Sequence, residues 1–163
     1  MPRGGNNNGG PNGGSDVIRG NNKDNVLSGS ANDDLIDGRD GNDTISGNDG
    51  NDTIDGGAGD DVLIGGRGSD VITGGSGADI FVVDETSDTI VITDFENGVD
   101  RIDIQAFAID QQNPFAGQYI GYLANTANDT IITFYDTNSQ QQVLEITLQN
   151  FDYTNIDVSD YIL

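Results

Sequence analysis

The chain of 163 residues sets 28 acidic side chains against six basic ones, a formal charge of −22, and it contains neither cysteine nor histidine. Such a charge argues against nucleic acid and anionic membrane surfaces as partners. The missing thiols and imidazoles exclude disulfides, zinc-protease motifs and His-based catalytic triads or dyads. Only Glu85, Glu96 and Glu145 are glutamates, so the anion is almost all aspartate, the acid of turns and short-reach ligation. No apolar run approaches the roughly 18 residues of a membrane-crossing helix, and no membrane insertion is expected.

Residues 1–10 are Gly/Asn-rich without an apolar anchor and are expected to form a flexible tail. The first fourteen residues lack the apolar core of a signal peptide, so any export address is expected elsewhere. From residue 11 a period of nine sets in, with eight units beginning at 11, 20, 29, 38, 47, 56, 65 and 74 and running to 82 without insertion or deletion. Position six is Asp16, Asn25, Asp34, Asp43, Asp52, Asp61, Asp70 and Asp79. Position eight is Ile18, Leu27, Ile36, Ile45, Ile54, Leu63, Ile72 and Phe81. A disordered linker has no reason to keep that apolar position, whereas a solenoid does.

Each unit divides into six turn-prone residues and three strand-prone ones, such as Thr44-Ile45-Ser46. In a three-residue strand the middle side chain faces one way and its neighbours the other, so position eight faces inward. Two units then make one coil, and stacked coils give two parallel sheets around a thin aliphatic core. Turns of alternate units lie one above another at about 4.8 Å, the spacing between strands. Asp16, Asp34, Asp52 and Asp70 form one column; Asn25, Asp43, Asp61 and Asp79 form the other. Adjacent carboxylates so placed repel by roughly 3 kcal/mol per pair. A cation between successive turns is the missing term, and oxygen-only ligation suits calcium better than zinc, copper or magnesium.

The units Gly56–Ile64 and Gly65–Thr73 match the pattern GGxGxDxUx at every fixed place. By these residues the chain resembles the RTX (repeats-in-toxin) proteins, whose nonapeptides form calcium-binding coils. The resemblance implies an all-β, right-handed parallel β-roll with an ion between turns of units n and n+2. Its ligands would be carbonyls at positions two and four and the position-six Asp of one turn, with carbonyls at positions one and three and the Asp of the other. Carried over, the best site is Gly57, Gly59 and Asp61 with Gly74, Ser76 and Asp79. The next is Asn48, Gly50 and Asp52 with Gly65, Arg67 and Asp70, and a third is Arg39, Gly41 and Asp43 with Gly56, Ala58 and Asp61. Gly66 and Gly68 join the set through the same turn as Asp70. Two columns of four turns imply about six ions. Asn25 in place of an Asp, and Lys23 and Asn32 in place of Gly, imply weaker binding at the second and third turns, with Asp24 and Asp33 beside them left to solvent. Residues 83–91 keep Asp88 and Ile90 at the expected spacing but lack glycines; they are expected to end the roll (11–91), with Asp88 paired to Asp70.

Residues 92–163 are ordinary β sequence, with strands expected over 88–95, 100–104, 118–124, 129–136 and 143–148 that form an antiparallel cap on the open end of the solenoid. Phe107 and Phe115 of the 105–117 loop are expected to pack in that cap. Residues 78–104 resemble the segment that follows the repeats in serralysin-type proteins. The terminal Asp160, Tyr161, Ile162 and Leu163 resemble the end of substrates of type I ABC exporters, which implies secretion. The first expectation for function is a non-enzymatic extracellular or cell-surface structural protein, folded by extracellular calcium, with a homo-polymer or a surface polysaccharide as further partner. Met1 and the absence of a catalytic set favour it. The alternative is the C-terminal export-and-folding module of a larger secreted protease, lipase or alginate epimerase.

Overall fold

The structure, a computed structural model, describes residues 14–83, 87–104, 119–125, 129–136, 142–150 and 161–162. The expectations for the tail (1–10), the 105–117 loop, Asp160 and Leu163 lie outside these residues. The period of nine becomes a series of strands: β1 (Val17–Arg19), β2 (Val26–Ser28), β3 (Leu35–Asp37), β4 (Thr44–Asp49), β5 (Thr53–Ala58), β6 (Val62–Arg67), β7 (Ser69–Ser76) and β8 (Ile80–Val82). There follow β9 (Thr89–Ile92), β10 (Arg101–Asp103), β11 (Tyr119–Asn125), β12 (Thr130–Asp136), β13 (Gln142–Leu148) and β14 (Tyr161–Ile162). Among the described residues there is no helix.

Odd and even strands separate into two sheets, ordered β1-β3-β5-β7-β9-β13-β12-β11 and β14-β10-β8-β6-β4-β2. Stacking within the repeats is parallel with an offset of 18 residues, as in Ile18↔Ile36 and Ile45↔Leu63. The position-eight side chains from Ile18 to Phe81 are all buried between the sheets. The same layer continues past the repeats through Ile90, Ile92, Phe95 and Ile102, and then through Leu144, Ile146 and Leu148 of β13. An antiparallel β11–β12–β13 meander joins the larger sheet by parallel pairing of β13 with β9.

Two features differ from the expected pattern. The strands from β4 to β7 are six to eight residues long, because pairing resumes beyond the aliphatic triplet, as in Asn48↔Gly66 and Gly57↔Gly75. The coils also lengthen at the cap end: Ile72 pairs with Ile92, 20 residues on, and Phe81 with Ile102, 21 residues on. This corrects the register expected for residues 83–91. Asp70 faces Ile90 across the ladder, and Asp88 is an exposed residue two places early. Residues 83–88 lack the glycines that let a six-residue turn close, so the coil takes a wider path.

That need for glycine is sharpest at positions two and four, where Gly57 and Gly59 hold φ of 104° and 136°, a region costly to L side chains. Arg39 occupies position two with φ of 81°. Its exposed ion pair with Asp37, 3.8 Å long, offsets little of that strain. Arg39→Gly is therefore expected to stabilise the calcium-loaded protein by about 1 kcal/mol, seen as a higher thermal midpoint. An unchanged or lower midpoint would count against strain at this turn.

Candidate metal centre

The turns place every position-six residue inside the roll, and each carboxylate ties its own turn to the one before it. In the first column the amide of Asp16 donates to Asp34 Oδ1 at 2.6 Å, that of Asp34 to Asp52 Oδ1 at 2.8 Å, and that of Asp52 to Asp70 Oδ1 at 2.9 Å. In the second, Asn25 donates to Asp43 Oδ1 at 2.6 Å, Asp43 to Asp61 Oδ1 at 2.7 Å and Asp61 to Asp79 Oδ1 at 2.9 Å. The two columns expected from the spacing are therefore present.

The other carboxylate oxygen is treated differently along the array. Oδ2 of Asp43, Asp52, Asp61, Asp70 and Asp79 is buried without a hydrogen-bond partner. A methyl group built on Gly56 would meet Asp61 Oδ2 at 2.5 Å and the Gly74 carbonyl oxygen at 2.6 Å. Asp43 Oδ2 meets the Gly56 carbonyl over Gly38 in the same way, and Asp52 Oδ2 meets that of Gly65 over Gly47. Two acceptors converging in a buried gap repel unless something positive lies between them. The residues present thus fit a cation in the gaps Asp43/Asp61, Asp52/Asp70 and Asp61/Asp79. Among the described residues no three acidic side chains converge on a metal site, so carbonyls must complete each oxygen shell, as a hard divalent cation accepts. At position three, the carbonyls of Ala58, Arg67 and Ser76 already accept the amides of Gly41, Gly50 and Gly59, at 2.8, 2.9 and 2.8 Å. One lone pair remains on each.

The early turns close on themselves. The amide of Ser30 donates to Asp34 Oδ2 at 2.6 Å, and that of Asn21 to Asn25 Oδ1 at 2.7 Å. Asn25 Nδ2 is buried with no acceptor, a donor set where a cation would need an oxygen. This is a physical reason for the weaker second and third turns that the substitutions implied.

Three features escaped the sequence reading. Position-five residues form a second ladder on the outside: Asn42 donates its amide to Asp24 at 3.0 Å, Asp60 to Asn42 at 3.1 Å and Ala78 to Asp60 at 2.9 Å. Asn51 donates to Asp33 at 2.8 Å and Ser69 to Asn51 at 2.9 Å in the other column. Asp24 and Asp33 are exposed as expected, yet they hold the next turn. Asp100 extends the second column, accepting the amides of Asp79 at 3.0 Å and Glu96 at 2.8 Å. Its signal was Asp100-Arg101-Ile102, the carboxylate two places before an aliphatic, hidden by a 21-residue spacing. Asp94 accepts the amides of Gly74 and Gly75.

Burial is the main cause that raises the acids of the columns, with neighbouring carboxylates adding to it. Asp43, Asp52, Asp70 and Asp79 are each lifted from 3.8 to about 6, against the opposing pull of a backbone amide. Asp61 and Asp100 are raised for the same first reason. A carboxyl raised in the fold binds its proton more tightly there than in the unfolded chain, so this stability is present in acid and lost as pH rises through about 6. Without calcium, acidification from pH 7 towards 4 is therefore expected to increase β structure by circular dichroism. With calcium, the midpoint of ion binding shifts to higher concentration below about pH 6, because protons occupy the ligands. A calcium affinity equal at pH 7.5 and 5 would contradict ligation by these carboxylates.

Four copies of the RTX calcium-binding nonapeptide repeat match the chain, at residues 11–45, 37–71, 46–81 and 55–90. Among curated proteins there is no match. Among solved structures, the AlgE6R3 subunit of the Azotobacter vinelandii mannuronan C5-epimerase is similar at 28% identity, over 94% of this chain and 82% of that one, with a TM-score of 0.43. The AlgE6R2 subunit of the same enzyme is 25% identical over 90% of this chain and 91% of that one, with a TM-score of 0.47. The extracellular lipase LipA from Serratia marcescens is 12% identical, over 94% of this chain and 40% of that one, with a TM-score of 0.42. The period of nine, the two carboxylate columns and the repeat matches fall on the same residues, and by them the chain belongs to the family of RTX calcium-binding nonapeptide-repeat proteins.

Proposed function

We propose that the protein is a secreted calcium-folded module whose ions sit in three full sites, Asp43/Asp61, Asp52/Asp70 and Asp61/Asp79, with weaker sites towards the N-terminal turns. The observation that carries this is the convergence, in each of those gaps, of an unpartnered buried carboxylate oxygen with a carbonyl of the next turn. The ligands are those of the three best gaps of the sequence reading, Arg39, Asn48, Gly50, Gly57, Gly59, Gly65, Arg67, Ser76 and their partners. Low cytosolic calcium leaves the chain unfolded and fit to thread through a type I exporter; millimolar calcium outside fills sites of modest affinity and folds it. Tyr161 and Ile162, part of the export-like terminus, pair with β10 in the fold, and so are free to be recognised only before folding. The role outside the cell is structural and non-enzymatic, in a surface layer or matrix.

A second reading is the folding module of a larger secreted enzyme. It is favoured by β1 and β2, which end both sheets among the described residues and leave room for further coils or another domain. Export is tested by expressing the chain with a type I exporter, with and without residues 160–163; loss of export only in the truncated chain is expected, and equal export would overturn the assignment. Sedimentation in millimolar calcium separates the roles: polymers support the matrix protein, a compact monomer the module.

A further inference from the structure

In the regular turns the position-one amide is held by a backbone carbonyl of the next coil: Gly20 donates to Asp37 O at 2.7 Å, Gly29 to Ser46 O at 2.8 Å and Gly38 to Asp55 O at 2.8 Å. At Gly74 the next coil is two residues longer and offers a side chain instead. The Gly74 amide donates to Asp94 Oδ1 at 2.9 Å and the Gly75 amide to Asp94 Oδ2 at 2.8 Å. The Gly75 N–H belongs to the same peptide unit as the Gly74 carbonyl. That unit is trans, so its N–H and C=O point in opposite directions. With Asp94 fixing one end, the other is aimed into the gap where Asp61 Oδ2 lies unpartnered. A carboxylate on the N–H also polarises the peptide and enriches the carbonyl oxygen in negative charge.

We infer that Asp94 is a positioning residue for the last inter-turn calcium site, setting the direction and strength of the Gly74 carbonyl ligand through the Gly74–Gly75 peptide. The inference rests on calcium occupying the Asp61/Asp79 gap. Asp94 lies outside the repeats and touches no ion itself; it stands in for the turn that the array no longer supplies. The neighbouring Thr73–Thr93 hydroxyl contact, 2.8 Å long, joins the same two coils without touching the peptide and serves as a control.

The test is calcium titration calorimetry of the full chain as wild type, Asp94→Ala, Asp94→Asn and Thr93→Val, with Gly74 and Gly75 amide resonances followed in parallel. Asp94→Ala is expected to weaken one ion by about tenfold or more while the others stay within about twofold, and to move both amide resonances. Thr93→Val leaves every affinity in place. Should Asp94→Ala not fold, Asp94→Asn keeps the size of the side chain but sets an amide group against one of the two N–H donors, and the same single-ion loss is expected. Unchanged affinities overturn the inference, as does a uniform loss at all sites, the mark of a merely structural residue. If Asp61→Ala loses no ion, the calcium assignment of the gap fails instead, which is a separate outcome.

Discussion

In EDTA at pH 7.5 the chain is expected to sediment as an expanded coil, with a radius of gyration near 42 Å, and in millimolar calcium to contract towards a value somewhat above the roughly 15 Å of a sphere of its length. The cause lies in the two turn columns. Neighbouring position-six carboxylates repel by roughly 3 kcal/mol per pair at neutral pH. Oδ2 of five of them is buried without a donor, which adds desolvation of each charge. Opposing this, the repeats offer one inward aliphatic or phenylalanine per nine residues, each contributing about 1.5–3 kcal/mol, and glycine-rich turns cost more entropy to order than average chain. A calcium ion between turns changes the sign of the electrostatic part at every full gap. Sedimentation velocity and small-angle scattering read the contraction directly. A chain equally compact in EDTA and calcium at that pH would refute the ion-dependent fold.

Among single substitutions, Asp61→Ala is expected to have the largest effect. Asp61 Oδ1 accepts the Asp43 amide at 2.7 Å, and Asp61 Oδ2 faces the Gly74 carbonyl, so one carboxylate serves the gaps below and above it. Its loss removes a ligand from two ions and leaves the buried Asp43 amide without its acceptor, a cost of about 1–3 kcal/mol before any ion is counted. Calorimetry should find two fewer tightly bound ions, and the calcium midpoint for folding should rise by about tenfold or more. Asp34→Ala makes the comparison. Asp34 Oδ2 is already held by Ser30, so no more than one ion, and a weak one, should be lost. Asp24→Ala, at an exposed outer position, should leave the ion count unchanged. Equal losses in Asp61→Ala and Asp34→Ala would contradict the division between full and weak gaps.

The residues legible in the sequence are those for which period and chemistry coincide. An aliphatic every nine residues, from Ile18 to Phe81, fixes which side faces in, and that fixes the stacking of Asp43 on Asp61 and Asp52 on Asp70. The strands of the cap were visible too, because alternation over segments such as 129–136 is a local signal. What failed was extrapolation of the period. Asp88 stands nine residues after Asp79, but the coil it belongs to is set by how residues 83–88 turn without glycine, not by counting. Asp94 and Asp100 were missed for the same reason: each does the work of a repeat residue at a spacing the repeat does not have. The position-five ladder was hidden by composition, since Asp, Asn and Ser there look like solvated turn residues until the neighbouring amide is known.

The lengthened coils have a consequence for how one structure is chosen over its near copies. A stack of nearly identical 18-residue coils is almost indifferent to sliding by one whole coil: every aliphatic still meets an aliphatic, every carboxylate a carboxylate, and only one coil of contact is lost at the ends. Such a chain has several alignments of similar energy. The 20- and 21-residue coils break this translational degeneracy, because Asp94 fits only Gly74 and Gly75, and Asp100 only Asp79 and Glu96. The irregular end therefore sets the phase of the whole array. An 18-residue deletion within 29–64 should shorten the roll and keep its alignment, whereas the same deletion across 74–100 would leave the remaining coils without a unique way to pair.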